Sequence, residues 1–203
     1  SLCLSKAARS ASPSLPPFLM AVGQRVQAVQ AAQPELGPST ADEGHGAPEP
    51  NDFGGEAIYE GELSILESDI SASILRLSGI YGEQRTRLIE MAQNHSSWPK
   101  ENRWTNRIFD KDAVNFITFL LNQLQKNIAI EPLYLVTDNS PALLYDVLNH
   151  IRGLIGLKVI HFEPNDLYDG KQLKSLITPK TEFIFNYPTY KDGYNFIIGN
   201  LNK

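Results

Sequence analysis

From Glu56 to the end of the chain, short apolar runs alternate with amphipathic stretches of helical length, and that alternation confines the fold to the α/β class. Tyr59, Leu63 and Leu66 recur at steps of four and three, as on one face of a helix. The run Ser73-Ile74-Leu75-Arg76-Leu77 that follows is a short, mostly apolar strand stopped by Ser78-Gly79. Asp110 is placed to cap a helix over 111–125, on which Ala113, Ile117, Leu120, Leu121 and Leu124 form a broad apolar face. Leu133-Tyr134-Leu135-Val136 then has the character of a buried strand, and residues 74–77 and 133–136 are expected to be parallel neighbours in one sheet. Ser140-Pro141 places a capping residue ahead of a proline at the first helical position, predicting a helix that carries Leu144, Val147, Leu148, Ile151 and Ile155 on one side. Residues 159–162 and 183–185 predict further short strands, and residues 190–201 a closing helix.

The first fifty residues differ in character. Residues 1–41 carry Lys6, Arg9 and Arg25 against one acid, Glu35, and are crowded with Ala, Ser, Pro and Gln. Asp42-Glu43-Gly44-His45-Gly46-Ala47-Pro48-Glu49-Pro50 is a polar Gly/Pro stretch that reads as a linker. Within this part only residues 18–32 have helical spacing, through Leu19, Val22, Val26 and Val29, which predicts one short helix.

Charge and composition narrow the partners. Against 18 basic residues stand 23 acidic ones, a net charge of -5 that disfavours a phosphate-tracking surface and makes small molecules or proteins better partners than nucleic acid. The single cysteine, Cys3, cannot form an internal disulfide, which fits a reducing, cytoplasmic setting. No apolar run approaches the roughly 20 residues needed to span a bilayer, and no secretory signal is read, although the acid-free residues 1–34 leave a transit-like segment open. His45, His95, His150 and His161 show no ligand-like spacing, so no metal site is expected. No serine occupies a nucleophile elbow. Gly54-Gly55 follows a proline-rich loop rather than a strand, and Gly153 and Gly156 suit a helix C-cap better than a phosphate-binding turn.

Two polar clusters carry chemistry. Ser78-Gly79-Ile80-Tyr81-Gly82, with Arg85 and Arg87, lies just beyond the carboxyl end of a strand, where open α/β sheets bind ligands; a plain turn with solvated arginines is the alternative. Arg103-Trp104-Thr105-Asn106-Arg107 sets two guanidiniums beside an aromatic and could grip a phosphate or stack on a base, unless it is a loop anchored by Trp104. Asp110 and Asp112 fall in a first helical turn, where the helix dipole favours acids, so capping is preferred to an acid/base pair.

Four segments carry a resemblance in order and spacing: residues 74–82 (ILRLSGIYG), Thr105-Asn106-Arg107-Ile108 leading to Asp112, Tyr134-Leu135-Val136-Thr137-Asp138, and Tyr187-Pro188-Thr189-Tyr190-Lys191-Asp192-Gly193. From about Pro50 onward the chain resembles the atypical extended short-chain dehydrogenase/reductases, the NAD-dependent epimerase/dehydratase or nucleoside-diphosphate-sugar epimerase type. The resemblance implies a Rossmann-type parallel sheet with a smaller C-terminal substrate lobe: residues 1–49 an atypical segment and linker, 50–138 the latter part of the NAD(P)-binding domain with 83–105 contributing to the lobe, and 139–203 the lobe itself. It implies NAD or NADP as cofactor, lined by Leu77, Ser78, Gly79 and Ile80, and a nucleotide-sugar substrate faced by Tyr81, Arg85, Asn106 and Arg107, with a homodimer allowed. The family's glycine-rich dinucleotide turn is absent from this chain. The tyrosine and lysine of typical members fall near Gly54 and Ile58, and Tyr59 is followed by Leu63 four residues on, so the catalytic residues are left unassigned. The resemblance implies an NAD(P)-dependent nucleotide-sugar epimerase/dehydratase or reductase-like protein, of which this chain taken alone is expected neither to bind NAD(P) tightly nor to transfer hydride; the alternative, from a second class, is a non-catalytic binding module whose residues 1–50 contact a partner.

Overall fold

A strand that is apolar on both sides of its pleat needs a cover on both faces, and the longest fully described strand of this chain has one. The computed structural model describes residues 18–23, 40–41, 53–138, 140–163 and 168–201. In chain order the elements are β1 (Phe18–Gly23), β2 (Thr40–Ala41), α1 (Phe53–Leu66), β3 (Ser71–Leu77), β4 (Gly79–Tyr81) and α2 (Arg87–Gln93). There follow β5 (Trp104–Thr105), β6 (Arg107–Phe109), α3 (Asp110–Gln125), β7 (Leu133–Val136), β8 (Ala142–Leu143), α4 (Leu144–Leu154), β9 (Gln172–Leu173) and α5 (Tyr190–Leu201).

The main sheet is parallel, with strand order β1-β3-β7. β3 is its centre: Val22 is in register with Leu75 on one side, and Leu75 and Leu77 with Tyr134 and Val136 on the other. Leu75 and Leu77 join Tyr134, Val136 and the α3 residues Ala113, Phe116 and Leu120 in one buried cluster. Between those two leucines the pleat turns Arg76 to the opposite face, where its Nη2 donates to Glu62 Oε2 of α1 at 2.6 Å. The residues expected to form parallel neighbours do so, and the helices expected over 111–125 and 190–201 are present as α3 and α5.

A second apolar cluster holds α2, α4 and α5 together around Tyr81 and Phe109, with Val147, Leu148, Ile151, Tyr194 and Ile197 at its centre. The β4–β6 pair (Tyr81 opposite Phe109) joins it to the sheet-side cluster through Ile80 and Ile108, and two further short pairings form, β5 with β8 (Trp104 opposite Leu143, antiparallel) and β2 with β9. Among the described residues no helix is long and apolar enough to cross a membrane.

Four local expectations are corrected. Phe18–Gly23 is a strand, not the start of a helix; six consecutive apolar residues ending in glycine suit a parallel strand as well as a helical turn, and periodicity cannot separate the two over so short a run. The rest of that expected helix, 24–32, lies outside the described residues. The helix expected from Ser140-Pro141 begins instead at Leu144, because Ala142–Leu143 is held extended against β5 and Thr105 Oγ1 donates to Ala142 O at 2.7 Å. No strand forms over 159–162: the Asn149 amide takes both backbone groups of Ile160, donating to its oxygen at 2.8 Å and accepting from its nitrogen at 2.9 Å, which leaves none for a ladder. Residues 183–185 are likewise irregular, their rings of Phe183 and Phe185 packing on the sheet-side cluster.

Candidate functional site at the carboxyl end of the sheet

Three backbone segments meet where the parallel strands end. Ser78 and Gly79 follow β3, Asn106 and Arg107 open β6, and Thr137 and Asp138 follow β7. They are stitched together by main-chain bonds: Ser78 N donates to Val136 O at 3.1 Å, Gly79 N to Asn106 O at 3.2 Å, and Asp138 N to Arg107 O at 2.8 Å. This continues the sheet's hydrogen bonding one residue past its strands, and it fixes the origin of each side chain.

The side chains rising from these segments are buried and incompletely bonded. Ser78, Arg107 and Asp138 are 2%, 3% and 1% exposed, yet Ser78 Oγ, Arg107 Nη1 and Asp138 Oδ2 have no hydrogen-bond partner. Thr137, from the same segment, reaches Arg107 O at 3.4 Å. A buried polar atom without a partner costs about 1–3 kcal/mol, and three of those in the described residues fall on these adjoining segments, with others at Asn102, Gln123 and His150. Arg107 is positioned from its other nitrogen, Nη2, which donates to Thr105 Oγ1 at 2.7 Å, and its guanidinium lies 5.5 Å from the centre of the Tyr190 ring. Asp138 Oδ1 accepts the Ser140 amide at 3.1 Å. Burial pushes the Asp138 carboxyl up to about 7, helped by Asp192 and opposed by the Ser140 amide and Arg107.

Tyrosines wall this cluster. Tyr81 and Tyr194 stack at 4.9 Å, and the Tyr81 hydroxyl donates weakly to Thr189 O at 3.4 Å. Burial drives the Tyr81 phenol far above its ordinary range, with the charge of Asp138 adding to the effect, and raises Tyr194 to about 12. The Tyr194 hydroxyl is a fourth buried group without a partner. Gly193 lets α5 come this close: a Cβ there would fall 2.1 Å from the Tyr81 hydroxyl.

Of the residues singled out from the sequence, the structure brings Ser78, Tyr81 and Arg107 together. Gly79 lies beside them with its backbone exposed, while Leu77 and half-buried Ile80 pack into the sheet-side cluster. Asn106 is adjacent, but its side chain braces the next segment, with Nδ2 donating to Lys171 O at 2.8 Å and Oδ1 accepting Leu173 N at 2.7 Å. Arg85 is exposed on the turn after β4. Asp138, Tyr190 and Tyr194 were not singled out as candidates. The signal for Asp138 is an acid two residues past the end of a buried strand, a place that demands a partner.

An open cleft of about 450 Å³ lies elsewhere, over the first turn of α3, lined by Asp110, Lys111, Val114, Asn115, Asn186 and Tyr187. It shares no residue with the buried cluster, and Lys111 is already paired with Glu83 at 3.0 Å. Asp112, beneath it, is fully buried and accepts Asn186 N at 3.0 Å and Tyr187 N at 2.7 Å, so it caps the loop before α5 as well as standing in the first turn of α3. Among the described residues no three His, Cys, Asp or Glu side chains are grouped to hold a metal ion.

No protein-family model matches the chain, and no curated protein matches it. Solved structures do. A protein from Methylobacillus flagellatus assigned as an NAD-dependent epimerase/dehydratase is 30% identical, with a TM-score of 0.78; the likeness covers 92% of this chain and 65% of that one. The dTDP-4-dehydrorhamnose reductase of Bacillus anthracis, solved with NADP, is 15% identical with a TM-score of 0.63, covering 90% of this chain and 64% of its own. The UDP-N-acetylglucosamine 4-epimerase of Bacillus cereus is 16% identical with a TM-score of 0.60, covering 77% and 58%. The chain thus spans less than two thirds of the length of each.

Proposed function

We propose that this chain, which has the Rossmann-type fold of the NAD-dependent epimerase/dehydratases and is similar to one of them over 92% of its length, works as the carboxyl-side part of an NAD(P)-dependent epimerase, dehydratase or reductase acting on a nucleotide sugar. One observation carries this reading: the residues with unpartnered buried atoms, Ser78, Arg107 and Asp138, stand on adjoining segments at the carboxyl end of the parallel strands, where such sheets bind ligands. Arg107 would hold an anionic group of the substrate, since its guanidinium keeps one nitrogen free. Tyr81 and Tyr190 would form the wall against which that group is placed.

The residues fit a dinucleotide at one end only. The exposed backbone at Gly79 and the free Ser78 hydroxyl suit the polar carboxamide of a nicotinamide. The described residues contain no glycine-rich turn leading from a strand into a helix, so none of them would hold the pyrophosphate. When bound, the cofactor supplies hydride transfer; this chain's residues orient the substrate and exclude water. A cytoplasmic setting and a homodimer go with the reading.

A binding role without turnover is the second reading. It is favoured by Gly54 and Ile58, near which the resemblance would put the tyrosine and lysine needed to move a proton. The test is calorimetric titration of the protein with UDP-glucose, UDP, NAD and NADP. Binding of UDP-glucose tighter than about 1 mM, weakened at least tenfold by Arg107→Ala, is expected. Binding unaffected by that substitution contradicts the reading, and hydride transfer in the presence of NAD(P) separates the enzyme from the binding module.

A further inference from the structure

A buried carboxylate kept only for stability is normally surrounded by donors, because each unused lone pair costs free energy. Asp138 is 1% exposed and has one donor, the Ser140 amide, on Oδ1, while Oδ2 has none. Its neighbour Arg107 has the complementary fault, with a free Nη1. The two come from segments joined by the Asp138 N to Arg107 O bond, so the free acceptor and the free donor belong to one small region. That region lies just under the surface, since Gly79, paired with Arg107, is exposed and Ser140 is half-buried.

We propose that Asp138 is a further ligand-contacting residue of this site, its free carboxyl oxygen accepting a sugar hydroxyl while the free nitrogen of Arg107 takes an anionic group of the same ligand. The inference rests on the nucleotide-sugar reading above. A carboxylate beside a guanidinium matches a ligand that offers hydroxyl donors and negative charge within one molecule.

The charge state of Asp138 then sets the strength of the contact. The groups facing it are Arg107 from β6, Tyr81 from β4, and Tyr190 and Asp192 from α5. Both phenols are raised by burial and keep their protons, so they do not titrate alongside it. With its carboxyl near 7, Asp138 is mostly ionised at pH 8 and mostly protonated at pH 6. The hydroxyl contact is charge-assisted in the first case and neutral in the second, a difference of about tenfold in affinity.

The experiment is calorimetric titration of the full chain, wild type and Asp138→Asn, with UDP-glucose at pH 8 and pH 6 and with UDP at pH 8. Wild type is expected to bind UDP-glucose about tenfold more weakly at pH 6 than at pH 8. Asp138→Asn is expected to bind it weakly and equally at both, with its affinity for UDP unchanged at pH 8. Wild-type affinity for UDP-glucose that does not change with pH, or a variant that keeps the wild-type affinity and pH dependence, overturns the role of Asp138 while leaving the nucleotide-sugar reading intact. Failure of the wild type to bind UDP-glucose at all overturns that reading and this inference together. Should Asp138→Asn not fold, the wild-type comparison at the two pH values decides alone.

Discussion

Asp138 is costly to the fold in a way that can be measured without any ligand. Its carboxyl is raised to about 7 in the folded protein, whereas in the unfolded chain an aspartate titrates near 4. The folded state therefore holds the proton more tightly, and the stability this confers is fully present below about pH 4 and is lost as pH rises to 7, by at most about 4 kcal/mol. Asp138→Asn removes the ionisation, so the variant should be more stable than wild type at pH 8 and show a flatter dependence of urea midpoint on pH between 5 and 8. Equal slopes for the two proteins would contradict the burial of an ionisable group at this position. The positions of Ser78, just after β3, and of Arg107, opening β6, follow from polar residues at the ends of apolar runs. Asn106 was legible as a polar residue at the right place, but its two bonds to Lys171 and Leu173 depend on a segment sixty-odd residues away that no local pattern reveals. The same holds for Asp112, whose place in a first helical turn was read correctly and whose bonds to Asn186 and Tyr187 were not foreseeable.

At the scale of elements, the helices over 111–125 and 190–201 and the short strands over 73–77 and 133–136 form as expected, whereas three other short apolar runs do not take the expected state. α3 followed from an apolar stripe many residues long, which only a helix satisfies, although Leu121 of that stripe is 45% exposed and Phe116, outside it, is in the core. Phe18–Gly23 and the runs 159–162 and 183–185 are short apolar stretches whose state is decided by what pairs with them: β3 makes the first a strand, while Asn149 bonds Ile160 and denies the second a ladder. α1 is held to β3 by a specific polar contact rather than by the expected stripe, since Leu63 and Leu66 are 36% and 54% exposed. Glu62 and Arg76, with side chains 9% and 21% exposed, form three hydrogen bonds between them. Glu62→Ala leaves Arg76 without its counter-charge and should lower stability by about 2 kcal/mol, less than for a fully buried pair because Arg76 keeps some solvent. A urea midpoint unchanged by Glu62→Ala would show that the pair contributes nothing to the docking of α1.

For the whole molecule, a parallel sheet with helices packed on it and a polar cluster at its carboxyl end is an arrangement that hosts ligands in many α/β proteins, and the fold alone does not choose among them. What particularises this chain is the set of buried atoms left without partners at Ser78, Arg107 and Asp138, well apart in lining residues from the open cleft over α3. We propose that the ligand sits at the former. The direct measurement is a titration of isotope-labelled protein with UDP-glucose, followed through backbone amide chemical shifts. The account predicts that the largest shifts fall on Ser78, Gly79, Arg107 and Asp138, with Lys111, Asn115 and Tyr187 little changed. Saturable shifts centred on Lys111, Asn115 and Tyr187, with the amides of Ser78, Arg107 and Asp138 unmoved, would contradict it.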